Sequence, residues 1–282
     1  MEKIAILTDT GGDVSTELAE QLDIHLVPLW VNINGKSYLD GIDISPEEVY
    51  QKMEETRLTT STPSIGELKN KYEELQKEGY ESIIFITISE HLSSLNSVAD
   101  QARKMVDIPV EVIDSKNISI GTGFLVIYAA QLVKEGRGFE EIIRIIRDKI
   151  KDSKVFFSVK TLKYLIEGGR IGKVQGMIGE ILKVKPIISC GTDGIYYTVE
   201  KNLGDKRTLR RLVKLAEEQV SQFKDYLIAV CHGNNPVDRD IVKEQLSDVI
   251  DQGKLYLETE IAPTLSIHTG PGLVGIGIFG IE

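Results

Sequence analysis

Through the first half of the chain, short β-branched runs alternate with stretches whose apolar residues recur every three or four positions. The run Lys3 to Thr8 is followed by Thr16 to Leu22, Ser82 to Ile88 by Leu95 to Met105, and Val110 to Ile113 by Ile118 to Glu135. Such pairs read as a strand and then a helix, and their repetition predicts right-handed crossovers around a mainly parallel sheet. Leu68, Tyr72 and Leu75 share one helical face before the strand at Ile83. A last helix, from Phe139 to Ile150, carries Ile142, Ile143, Ile145, Ile146 and Ile150 behind Gly136-Arg137-Gly138.

The pattern then changes. Apolar runs at 155–159, 185–189, 195–199, 226–230, 255–259 and 273–279 are interrupted by only two long amphipathic stretches, Arg207 to Phe223 and Val237 to Ile250. Between two of these runs, Cys190-Gly191-Thr192-Asp193-Gly194 has the composition of a tight turn, so part of the second sheet should be antiparallel. The expected fold is therefore α/β in two domains, 1–153 with a mainly parallel sheet and 154–282 with a mixed one. The boundary falls near Asp152-Ser153. No internal repeat interrupts this reading.

Composition narrows the function classes. The 282 residues are 41% hydrophobic, enough for one large core or two modest ones, and carry a formal charge of −10. That balance argues against non-specific nucleic-acid binding, which depends on clustered Lys and Arg. No segment approaches the roughly 18 apolar residues of a membrane span, and no signal-like leader is evident, so a soluble cytoplasmic protein is expected. Cys190 and Cys231 are too few for a disulfide framework or a zinc site, and Cys231 and His232 should face opposite sides of a strand.

Two glycine motifs fail as nucleotide loops. Gly275-Ile276-Gly277-Ile278-Phe279-Gly280 matches Gly-x-Gly-x-x-Gly, but no helix follows it, so it reads as a glycine-rich terminal strand passing close to a neighbour. Gly169-Arg170-Ile171-Gly172-Lys173-Val174 lacks the first P-loop glycine and has Val174 where a hydroxyl must reach magnesium. Asp9, Asp13, Asp40, Asp43 and Asp114 bring no metal-loop spacing with them, and turn or cap roles account for such aspartates.

Three clusters of hydroxyl and imidazole groups remain. They are Thr59-Thr60-Ser61-Thr62-Pro63-Ser64, Ser93-Ser94 behind Glu90-His91-Leu92, and Ser266-Ile267-His268-Thr269 before Gly270-Pro271-Gly272. The first reads as a capped helix start, the second as a strand-to-helix junction, and the third places His268 between a strand-like Leu265 to Ile267 and a turn. Free amides and the helix dipole favour anions at such helix starts, so a fold that gathered the clusters would clasp a small carboxylate or phosphate. Arg170, behind Gly168-Gly169, could add a fixed positive charge.

Taken in order, these segments resemble the DegV family of bacterial fatty-acid-binding proteins. The resemblance runs through Thr8-Asp9-Thr10-Gly11-Gly12-Asp13, Asp40-Gly41-Ile42-Asp43-Ile44, Thr60-Ser61-Thr62-Pro63-Ser64, Leu92-Ser93-Ser94-Leu95-Asn96-Ser97-Val98, Glu167-Gly168-Gly169-Arg170-Ile171, Lys183-Val184-Lys185-Pro186-Ile187 and His268-Thr269-Gly270-Pro271-Gly272. Two departures stand out: Thr10 where the family usually has Ser, and Ser93-Ser94-Leu95-Asn96 where it commonly reads Ser-Gly-Thr-Tyr.

The resemblance implies one long-chain fatty acid, such as palmitate, held between two α/β domains. Thr60, Ser93 and His268 would then meet its carboxylate, supported by Ser61, Ser94, Thr269 and Arg170. It further implies a carrier without cofactor, metal or catalytic residue of its own, serving a separate ATP-dependent fatty-acid kinase. Two other readings compete. One is an acyl-ester hydrolase or acyltransferase with Ser93 as nucleophile and His268 as base, although Ser93 has no Gly-x-Ser-x-Gly elbow. The other is a triose-binding protein related to dihydroxyacetone kinases.

Overall fold

The structure is a computed structural model that describes residues 2–177 and 184–282; Lys183 of the quoted motif lies outside them. The first half runs β1 (Ile4–Asp9), α1 (Thr16–Leu22), β2 (Ile24–Val27), β3 (Trp30–Ile33), β4 (Lys36–Leu39), α2 (Pro46–Glu55), β5 (Thr59–Ser61), α3 (Ile65–Lys77), β6 (Ser82–Thr87), α4 (Leu95–Arg103), β7 (Val110–Asp114), α5 (Ile120–Lys134) and α6 (Phe139–Lys149). The second half continues β8 (Ser153–Ser158), α7 (Lys163–Glu167), β9 (Val184–Cys190), β10 (Tyr196–Leu203), α8 (Asp205–Val220), β11 (Tyr226–Gly233), α9 (Pro236–Gln245), α10 (Ser247–Gln252), β12 (Leu255–Glu260), α11 (Pro263–Thr269) and β13 (Leu273–Gly280).

The first sheet has the order β2-β1-β6-β7 and is parallel throughout, as the strand-helix alternation predicts. The second has the order β10-β9-β8-β13-β11-β12. It is mixed: β9 and β10 are antiparallel across the expected turn, whereas β11 and β12 run parallel. The glycine-rich last strand, β13, lies in the middle of this sheet between β8 and β11. A Cβ added at Gly277 would stand 2.3 Å from Ile120 of α5, which is the close approach anticipated for that run.

Helix α5 sets the spacing of the two sheets. It is buried on nearly every face, as expected of a helix that is apolar all round, and packs against β1 on one side and β8 and β13 on the other. One hydrophobic cluster consequently includes Ile6 and Ile84 of the first sheet, Phe124 of α5, and Ala229 and Phe279 of the second sheet.

Several elements depart from the sequence reading, among them β2, α2 and α7, for which it predicts no element. A small antiparallel sheet, β4-β3-β5, occupies a region where no element is predicted, because its strands are only three or four residues long. The helix expected from Val237 to Ile250 is divided at Leu246 into α9 and α10. The strand-like Leu265 to Ile267 lies within α11. That helix starts on Pro263, whose fixed φ suits a first turn, and ends at Gly270 with φ of 70°. Six of its seven residues are buried, so no amphipathic period marks it as helical.

Candidate functional site

The carboxyl ends of parallel strands are where α/β folds collect ligands, since the loops there diverge. Ile88 and Ser93 follow β6 at that end, and Ile118 lies in the loop after β7. With β5, α11 and residues of β8, β10, β11 and β13 in the second sheet they enclose a cavity of about 900 Å³ that includes its mouth. Thr60, Ser61, Ser93, Ser94, Arg170, His268 and Thr269 all line it. The structure thus brings together residues from all three clusters and from the Gly-Gly-Arg segment, although Ser64 and Ser266 of those clusters lie outside the cavity lining. Ile88, Leu92, Ile118, Val155, Phe157 and Leu265 supply apolar wall.

Each residue arrives by a different local route. Thr60 sits in β5, paired with Val31 of β3. Ser64, in the same cluster, has a separate job: its hydroxyl accepts from the Glu67 amide at 3.2 Å while the Glu67 carboxylate accepts from the Ser64 amide at 2.8 Å, a reciprocal cap on α3. Ser61 accepts from Asn32 at 3.1 Å. Ser93 precedes α4 and accepts from the Leu95 amide at 3.2 Å, which leaves its own proton available to a ligand. Ser94 is the cap residue of α4 yet makes no side-chain cap bond.

Helical geometry sorts the third cluster. Leu265, His268 and Thr269 are spaced three and four residues apart, so they share the cavity face of α11. Ser266 is turned away and hydrogen-bonds Tyr50 of α2 at 2.8 Å. The Thr269 hydroxyl donates to the Leu265 carbonyl at 3.0 Å, so Thr269 offers the cavity wall rather than a free donor.

The Thr60 hydroxyl and His268 Nε2 are 2.9 Å apart. His268 Nδ1 is buried without a hydrogen-bond partner among the described residues and faces Gly168, where an added Cβ would stand 2.2 Å away. Burial, with a smaller contribution from the Arg170 charge, pushes the imidazole down to about 4, so the ring is neutral at pH 7. A neutral ring has one N–H, and a buried donor without an acceptor is costly, so the proton belongs on Nε2. Nε2–H then donates to Thr60, freeing the Thr60 proton for an anion. Arg170 is held by the Leu92 carbonyl at 3.1 Å and the Gly168 carbonyl at 2.5 Å. It has no carboxylate partner among the described residues.

Sequence reasoning gives Asp13 and Asp40 turn or cap roles, whereas the structure places both carboxylates behind this face. Asp13 accepts from the Ser119 hydroxyl and, at 2.8 Å, from the Ala262 amide immediately before α11. Asp40 accepts from Thr10 at 2.7 Å and from Thr264 in the first turn of α11. Two buried carboxylates from the first half thereby hold the end of α11 opposite His268. Burial pushes Asp13 and Asp9 up to about 7 and raises Asp40 as well. Among the described residues, no group of three or more His, Cys, Asp or Glu is arranged to hold a metal ion. Cys231 lines the cavity, with its thiol pushed up to about 12 by burial; His232 points elsewhere, toward Glu260.

Fold and site together define a mixed α/β protein with a largely apolar cavity whose lining also carries hydroxyl, imidazole and guanidinium groups. The family model described as "Uncharacterised protein, DegV family" matches residues 3–280, and the chain belongs to that family. A DegV domain-containing protein of Clostridium acetobutylicum is 38% identical over 280 residues, covering 99% of each chain. Among solved structures, DegV of Bacillus subtilis, described as a fatty acid binding protein, is 32% identical with a TM-score of 0.90, covering 99% of this chain and 100% of that one. A DegV family protein from Thermus thermophilus, described by its fatty acid binding, is 27% identical with a TM-score of 0.93 at the same coverage. Among the described residues no helix is long and apolar enough to cross a membrane.

Proposed function

We propose that this protein carries one long-chain fatty acid, such as palmitate, non-covalently in the cavity, with the carboxylate at Thr60 and Ser93. The observation that carries this reading is the assembly of Thr60, Ser93 and His268 on an otherwise largely apolar cavity. The fatty-acid binding named for the Bacillus and Thermus relatives supports it. A sixteen-carbon chain gains on the order of 10 kcal/mol from burial before entropic costs, at about 0.8 kcal/mol per methylene. A bare carboxylate would cost several kcal/mol at the end of such a tunnel. Charge-assisted hydrogen bonds from the Thr60 and Ser93 hydroxyls offset that cost. His268 fixes the Thr60 hydroxyl, while Ser61, Ser94, Thr269 and Arg170 support the rim.

In this reading the protein is not itself a catalyst. It presents the carboxylate to a separate ATP-dependent fatty-acid kinase in the cytoplasm, where ATP is available, for acyl-phosphate formation. A second recess shares Thr60, Arg170 and His268 with the fatty-acid cavity, which supports access to the carboxylate from outside. Residues 1–153 and 154–282 act as the two α/β units that meet at the cavity. The bonding of His268 to Thr60 rather than Ser93, together with its low basicity, favours a clasp over a nucleophile-base pair.

Native mass spectrometry of protein purified from cells tests this directly. A mass increment equal to one fatty acid, lost on organic extraction, is expected. Ligand-free protein that also fails to bind added palmitate would overturn it.

A further inference from the structure

The polar side chains lining the cavity are mostly committed. Ser119 donates to Asp13, Thr264 to Asp40 and Thr269 to the Leu265 carbonyl, while Arg170 is held by two backbone carbonyls. Tyr196 is a buried polar residue of the lining that the carboxylate clasp does not absorb. It begins β10, lines the cavity and is 5% exposed, yet its hydroxyl has no hydrogen-bond partner among the described residues.

Its position is well defined. The ring meets Phe157, another wall residue, at 5.3 Å between centroids in an edge-on arrangement of 67°. Burial first, and then Cys190, hold the phenol well above its ordinary titration range, with smaller effects from Arg170 at the clasp and Asp13 behind Ser119. The hydroxyl is therefore protonated, able to donate and accept, and within electrostatic reach of both Arg170 and Asp13.

A plain alkyl chain filling this cavity would strip water from that hydroxyl and offer no replacement. Leaving one buried neutral donor unpaired weakens binding by about tenfold. An oxygen carried along the chain would restore the bond, and sites that hydrogen-bond a ligand hydroxyl discriminate strongly against the analogue lacking it.

Building on the fatty-acid reading above, we propose that Tyr196 is a specificity residue that hydrogen-bonds a hydroxyl group borne part-way along the acyl chain. The preferred ligand class is then mono-hydroxylated long-chain fatty acids, with unsubstituted acids as weaker ligands of the same site.

The test is a displacement titration of delipidated protein with stearic acid and its mono-hydroxy positional isomers, using wild type and Tyr196→Phe. At least one isomer should bind wild type about tenfold more tightly than stearic acid does. That advantage should vanish in Tyr196→Phe, which should bind stearic acid at least as well as wild type. The wild-type isomer series stands alone as a measurement, so the test does not depend on the variant folding. If stearic acid binds but no isomer exceeds it, or if the advantage survives in Tyr196→Phe, the assignment of Tyr196 fails and the carrier reading stands. If neither stearic acid nor any isomer binds wild type, both fail.

Discussion

His268 Nδ1 is turned onto Gly168, at a point where any Cβ would stand 2.2 Å away. The glycine thus supplies the room that lets the opposite ring nitrogen reach Thr60 at 2.9 Å. Gly168 has φ of −80°, which alanine adopts freely, so Gly168→Ala tests the close approach without backbone strain. The variant should fold, displace the imidazole and lose about tenfold or more in palmitate affinity by fluorescence displacement. Unchanged affinity would separate the glycine from the clasp.

Thr60 and Ser93 should act together. Hydrogen bonds to charged groups contribute about 1.5–3 kcal/mol each, so Thr60→Ala combined with Ser93→Ala should weaken palmitate binding by about a hundredfold or more. Ser64→Ala, four residues along, should cost about 1 kcal/mol of stability through the lost α3 cap and leave affinity unchanged. Calorimetric titration and urea unfolding of the two variants separate clasp from cap.

His268 should leave a signature in the pH dependence of stability. Its folded-state value near 4 lies below the ordinary 6.5, so the unfolded chain takes up a proton first as the pH falls. The resulting contribution is complete above about pH 6.5 and is lost as the pH drops toward 4. Asp9 and Asp13, raised from 3.8 to about 7, act in the opposite direction: their contribution is complete below 3.8 and is lost as the pH rises through 7. Thermal midpoints of His268→Gln and wild type should converge as the pH falls from 6.5 to 4. A constant difference would contradict the neutral, buried imidazole.

Asp13 ties the loop after β1 to Ser119 and to the Ala262 amide. Asp13→Ala leaves both donors unpaired and should cost about 2–5 kcal/mol in urea unfolding. Asp13→Asn should cost markedly less, because the amide oxygen can accept from Ala262 while its NH2 donates to Ser119. Equal losses in the two variants would argue against this bonding.

The long elements were legible in the chain because their periods are set by one buried face. Leu68, Tyr72 and Leu75 are buried in α3, and the turn around Gly191 and Gly194 joins antiparallel β9 and β10. α11 and β5 were not legible. One is a seven-residue helix buried on almost every side, and the other a three-residue strand that exists through its pairing with Val31. Too few residues and too little contrast between faces leave such elements without a pattern of their own.

The candidate residues followed the same division. Local chemistry in the chain singled out Thr60, Ser93, Arg170 and His268, since hydroxyls at element boundaries and a cation after paired glycines are visible without a fold. Which of them meet, and which neighbours serve other ends, was decided by tertiary structure. Ser64 caps α3, Ser266 bonds Tyr50, and Asp13 and Asp40 hold α11 from more than two hundred residues away. Sequence determines the period and chemistry of each segment through interactions over a few residues. The cavity, the depressed basicity of His268 and the burial of Tyr196 arise from desolvation by distant parts of the chain, which exists only once the sheets have closed around α5.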